Sequence, residues 1–374
     1  MNRSFRVGHL FGIPFYINSS WFFVLFLVTL TYSSNLAEQF PELGEILPLI
    51  LGLIAALLLF SSVLAHELGH SFVALSQGIE VKSITLFLFG GLASLDRESK
   101  TPGEAFWVAI AGPLVSIVLF GLFTIINTFT AINGPLAAIL QLLAYINLVL
   151  ALFNLIPGLP LDGGNILKSI VWKITNNPYK GVIFASRVGQ AFGWLAIVSS
   201  LIPTFLSGSF PNIWNILIGS FLLQNAGRSA QYAEIQGTLA DLTAADAIIP
   251  DCPIVSASLS LREFVNEYVI GKDSRKQFLV INEVEQLVGV INVDDLKIVN
   301  TSEWPLVLVK ELTKPVTNME TVVAKTSLLE VVSLLEQKQI NELTVIDENG
   351  VLVGLIEKAS IRSLLENKAQ VKPA

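Results

Sequence analysis

A chain of 374 residues has room for two or three domains, but 52% hydrophobic against 14% charged residues excludes an ordinary soluble protein. A net charge of −7 with no basic stripe argues against a general nucleic-acid binder, and the single Cys252 excludes an intramolecular disulfide and fits a reducing compartment for the C-terminal half. The charges are unevenly spread. Residues 1–226 hold long stretches with almost none, whereas residues 238–374 have ordinary soluble composition, so a membrane domain is expected to lead through a linker, 227–237, into a water-soluble module.

In chain order, Arg3 to Ile17 mixes Phe5, Val7, Leu10 and Phe11 with Gly8, Gly12 and Pro14, which predicts strand-like or interfacial structure. His9 lies here without ligand-type neighbours and reads as a surface histidine. The first apolar run is too long for a signal-peptide core and lacks a small-residue cleavage site, so it is expected to stay as an anchor. About six spans follow, at Trp21–Leu36, Ile46–Gln77, Ala105–Asn127, Leu136–Pro157, Val182–Phe205 and Ile213–Asn225. The basic residues of this region, from Arg3 and Arg6 through Lys82, Arg97, Lys100, Lys168, Lys173 and Lys180 to Arg228, all map to one side, which predicts cytoplasmic N- and C-termini in a plasma membrane.

Within the second span stands His66-Glu67-Leu68-Gly69-His70. Residues four apart share a helix face, so two imidazoles project together and can hold one Zn²⁺, with the Glu67 carboxylate placed to activate water. Ionisable groups in a span are costly and mark function. His66 lies about 30 Å along its helix from the outer end of the span. Asn154 reaches a similar depth in the fourth span, and from it runs Asn154-Leu155-Ile156-Pro157-Gly158-Leu159-Pro160-Leu161-Asp162-Gly163-Gly164, which cannot continue a regular helix. Irregular backbone at membrane depth needs cover from protein or a wet cavity. An Asp162 delivered there, level with the two histidines, is a candidate third ligand.

The two motifs together resemble the site-2 protease family of intramembrane zinc metalloproteases, across the whole membrane domain. The resemblance implies zinc on His66, His70 and Asp162, Glu67 as general base and acid, and Asn154 as a group that binds substrate or the oxyanion. It implies a membrane-anchored regulatory protein as substrate, cut within its transmembrane segment. Phe89-Gly90-Gly91 matches a family segment that pairs with unfolded substrate, and Ala111-Gly112-Pro113 matches a family pattern read here as helix packing without chemistry.

Beyond Thr238 the sequence repeats. Phe278–Asn282 and Gly289–Ile291 are echoed by Leu343–Asp347 and Gly354–Ile356, with an interval of 8 residues from Ile281 to Gly289 and again from Ile346 to Gly354. Helices are expected at Leu261–Tyr268, Val293–Val299, Leu328–Lys338 and Lys358–Leu365. The twofold helix-strand-strand-helix order resembles a cytoplasmic α/β tandem CBS pair, with repeats at 238–300 and 305–367. That resemblance implies regulation or homodimerisation, and an adenine nucleotide as ligand, with Asp295 matching the family's ribose-binding position. The second copy has no Asp at that place, and both lack the preferred hydroxyl at the fourth position of the pattern, where Asn292 and Glu357 stand. Two other readings of the whole chain, a CBS-gated transporter or channel and a catalytically silent scaffold, predict pore-lining charges or a broken zinc motif, and the sequence shows neither.

Overall fold

The computed structural model describes residues 4–371, apart from 88–89, 131, 209–211, 250–252, 272–275 and 316–319. Phe89 and Cys252 therefore lie outside the described residues. The chain divides into two compact units, Met1–Glu234 and Ile235–Ala374.

The N-terminal unit opens with a hairpin, β1 (Ser4–Leu10) and β2 (Ile13–Asn18), joined through Phe11-Gly12. Both turn residues have positive φ, 53° and 83°, as a two-residue connection with the right twist requires. Asn18 ends β2 and caps the first long helix, accepting the Ser20 N–H at 3.0 Å. The helices are α1 (Ser19–Gln39), α2 (Leu47–Ser76), α3 (Pro102–Phe129), α4 (Pro135–Asn154), α5 (Asp162–Thr175), α6 (Pro178–Ser207) and α7 (Ile213–Asp241). Among the described residues, α1 to α4 and Pro178–Leu206 of α6 are long and apolar enough to cross a membrane. The protein is thus an integral membrane protein. The sixth expected span is the first half of α7, whose apolar stretch gives way to Asn225 and Arg228, and residues 227–237, expected as a linker, are helical within it.

Between α2 and α3 run β3 (Val81–Phe87) and β4 (Gly90–Leu95). They complete a sheet of order β1-β2-β3-β4, in which β2 and β3 are parallel and β4 is an edge. The expected fourth span ends earlier than its apolar run suggests. Helix α4 stops at Asn154, and Leu155–Leu161 cross irregularly to α5. This loop is covered as its depth demands: Leu159 N–H donates to the Ala185 carbonyl of α6 at 3.1 Å.

In the C-terminal unit the first repeat holds β5 (Ile254–Ser256), α8 (Leu261–Phe264) continued by a wide turn Val265–Val269, β6 (Gln277–Ile281), β7 (Leu287–Asn292), a tight helical turn Val293–Ile298, α9 (Val309–Leu312) and β8 (Lys314–Pro315). The second holds β9 (Thr321–Val323), α10 (Leu328–Gln337), β10 (Glu342–Ile346), β11 (Leu352–Glu357) and α11 (Lys358–Val371). The sheets are β5-β6-β7-β8 and β11-β10-β9. Each repeat has its own core, one around Phe264 and Val280 and one around Leu328 and Val345. A third cluster, Leu279 and Val290 with Leu352 and Leu355, joins the two.

Candidate metal centre

His66 and His70 leave the same face of α2, and Asp162 is the first residue of α5. The Asp162 Oδ2 stands 3.1 Å from His66 Nε2 and 3.3 Å from His70 Nε2, and the two Nε2 atoms are 3.3 Å apart. Among the described residues this is the one group of three or more His, Cys, Asp or Glu side chains whose donor atoms converge closely enough to hold a metal ion.

The opposite ring nitrogens fix which atoms face inward. His70 Nδ1 donates to the Val108 carbonyl at 2.6 Å. A carbonyl can only accept, so Nδ1 carries the proton and the neutral ring presents a bare Nε2. His66 Nδ1 meets Ser116 Oγ at 2.9 Å, deep in the protein. Both partners come from α3, which approaches α2 closely at Gly112. A Cβ on Gly112 would run into the His70 ring and stand 2.7 Å from His66 Nε2. The donor set of two imidazoles and one carboxylate, with the space kept open by this glycine, fits a zinc ion. Gly112 therefore packs as expected and also clears the volume in front of the imidazoles.

Glu67 faces the same cavity of about 370 Å³. Its carboxylate accepts the Ala93 backbone N–H of β4, and a Cβ on Gly91 would collide with its side chain. Asn154 also lines this cavity, with Nδ2 donating to the Leu150 carbonyl at 3.0 Å. The structure thus brings His66, Glu67, His70, Asn154 and Asp162 together. His9 is elsewhere, exposed on β1 beside Arg6. Ser116, the Val108 carbonyl and the contributions of α5 beyond Asp162 were not expected from sequence. Ser116 offered one signal, a hydroxyl in an apolar span four residues after Gly112.

Asp295 makes no part of this centre. It accepts the Asn292 N–H at 3.2 Å and pairs with Lys314 at 2.8 Å, which holds its carboxyl below the usual carboxylate range. The largest cavity described in the C-terminal unit, about 700 Å³, is lined by Glu320, Glu342 and Glu357 against Lys276, with Leu279 and Leu355 as apolar walls. Glu342 and Glu357 sit directly opposite on β10 and β11, and burial, then the Glu357 charge, pushes the Glu342 carboxyl up.

The sequence profile of "Peptidase family M50" matches residues 54–131 and 119–196, and that of "CBS domain" matches residues 309–367. The chain is 58% identical over 369 residues to "Putative zinc metalloprotease sll0528" of Synechocystis sp., covering 99% of this chain and 97% of that one. It is 29% identical over 361 residues to "Zinc metalloprotease MJ0392" of Methanocaldococcus jannaschii, covering 91% and 99%. A solved "Site-2 Protease from Methanocaldococcus jannaschii" aligns with a TM-score of 0.43 at 29% identity, over 61% of this chain and 95% of that one.

Proposed function

We propose that this chain, which belongs to peptidase family M50 and is a site-2-type zinc metalloprotease with a CBS domain, cleaves membrane-anchored regulatory proteins inside their transmembrane segments. The observation that carries the reading is the convergence of His66 Nε2, His70 Nε2 and Asp162 Oδ2 beside Glu67, on helices apolar enough to lie in a bilayer.

His66, His70 and Asp162 would hold the zinc, which when bound would supply Lewis acidity to water and the scissile carbonyl. Glu67 takes the proton of the attacking water as its oxygen bonds to the carbonyl carbon. The C–N bond then breaks, and Glu67 returns the proton to the departing amine nitrogen. Asn154 has one amide hydrogen on Leu150, which leaves the second for the oxygen that gains charge. A transmembrane helix hides its carbonyls in its own hydrogen bonds, so the substrate must open locally. The free edge of β4 supports this step. Ala93 turns its N–H away from β3 to Glu67, so by the alternation of an antiparallel pair Gly91 also faces outward, beside the catalytic carboxylate.

The C-terminal unit we read as a regulatory and dimerising module on the cytoplasmic side of a plasma membrane. An adenine nucleotide is the ligand class that the resemblance offers for it, with Asp295 at the ribose. Asp295 does not line the large cavity, where Glu320 is paired with Lys338 and Glu342 stands opposite Glu357.

The experiment is metal content and peptide hydrolysis in purified full-length protein. Wild type is expected to carry near-stoichiometric zinc, His66→Ala and Asp162→Ala to lose it, and Glu67→Gln to keep it while hydrolysis is abolished. Folded wild type that binds no zinc when supplied would overturn the reading.

A further inference from the structure

Lys168 is the one lysine or arginine among the described residues lining the cavity of the metal centre. It stands six residues beyond Asp162 on α5, about 9 Å along the helix axis. Asn165 and Trp172 line the cavity from the same helix, so this face of α5 forms one wall leading away from the metal ligands. The Lys168 side chain is only 16% exposed, and its Nζ lies 3.0 Å from the Glu98 carboxylate. Glu98 is 84% exposed, which makes the pair unequal. Water competes for Glu98 and makes it a weak partner, easily released to solvent. The shielded ammonium, in contrast, keeps its need for a negative neighbour. Neither group takes part in the chemistry assigned to Glu67.

We propose that Lys168 is a specificity-determining residue that receives an acidic side chain of the substrate in place of Glu98. An extended chain advances about 3.3 Å per residue, so an offset on the order of that 9 Å rise puts the acidic residue two to four positions from the scissile bond. The inference rests on the peptidase reading of the centre, and it adds that the substrate carries a carboxylate close to the cut.

The test uses full-length protein and transmembrane peptides of one Leu/Ala/Gly-rich sequence, each with a single Asp, Asn or Lys at one of the positions two to four residues from the cleaved bond, on either side. Wild type is expected to cleave one Asp peptide about tenfold faster in kcat/KM than its Asn counterpart, with the Lys counterpart slowest. Lys168→Glu is expected to reverse that order, Lys168→Gln to flatten it and Lys168→Arg to retain it, all with unchanged zinc content. Cleavage of all peptides alike by wild type, or an unchanged order in Lys168→Glu, would overturn the proposal while leaving the peptidase reading standing. Cleavage of none of them by zinc-loaded wild type would overturn both.

Discussion

The Nε2 of His70 is available to a metal because its Nδ1 faces a carbonyl, and the His66 ring is held in place by the Ser116 hydroxyl at its Nδ1. Outer partners of this kind fix ring orientation and tautomer, and losing one weakens metal affinity about 10- to 100-fold. Ser116→Ala is therefore expected to lower zinc affinity by that order in a chelator competition, with Ser116→Thr closer to wild type. Gly112→Ala drives a methyl group at both imidazoles and is expected to lose zinc more completely. The convergence of His66, His70 and Asp162 was legible because its signal is local: a spacing of four on one helix, and an Asp after a Pro- and Gly-rich break. Ser116 and the Val108 carbonyl were not, since they lie 50 and 38 residues from the histidines they hold and only the packing of α3 on α2 brings them together.

At the scale of elements, apolar runs located the long helices well and their ends less well. Helix α4 stops at Asn154, although Leu155 and Ile156 are apolar, because Pro157 and Gly158 disfavour helix just beyond. Helix α5 went unread because it is short and two-faced, opening on Gly163-Gly164. Strands β5 and β9 have three residues each, too few to show an alternation, and exist because β6 and β10 supply parallel partners. In the proposed reaction strand β4 offers the substrate its free edge. In Gly91→Ala the new methyl group meets Glu67 at the edge where substrate would pair. That variant is expected to lose at least about tenfold in kcat while zinc content stays at the wild-type level, a split that separates damage at the carboxylate from damage at the metal.

For the whole molecule, composition already separated an apolar part from a charged one, and the structure places the boundary of its two compact units inside α7. The C-terminal unit is expected to answer to acid through Asp295. Lys314 and the Asn292 N–H hold its folded-state carboxyl below the unfolded value. Its contribution is thus present above about pH 4 and lost as pH falls through the depressed folded value. Hydrogen exchange in β7 and β8 should accelerate more between pH 4 and pH 3 in wild type than in Asp295→Asn, compared after correction for intrinsic exchange.

The parallel pairing of β2 with β3 sets Phe15 beside Ile84, with α1 and α2 between them in sequence. Roughly seventy residues must be made before the hairpin finds that neighbour, so the ribosome delivers β1 and β2 long before their sheet can exist. Helices α1 and α2 must therefore both be made before β2 can pair with β3. His66 and His70 sit on the second of these helices, so a nascent chain presents both imidazoles before Asp162 has been translated.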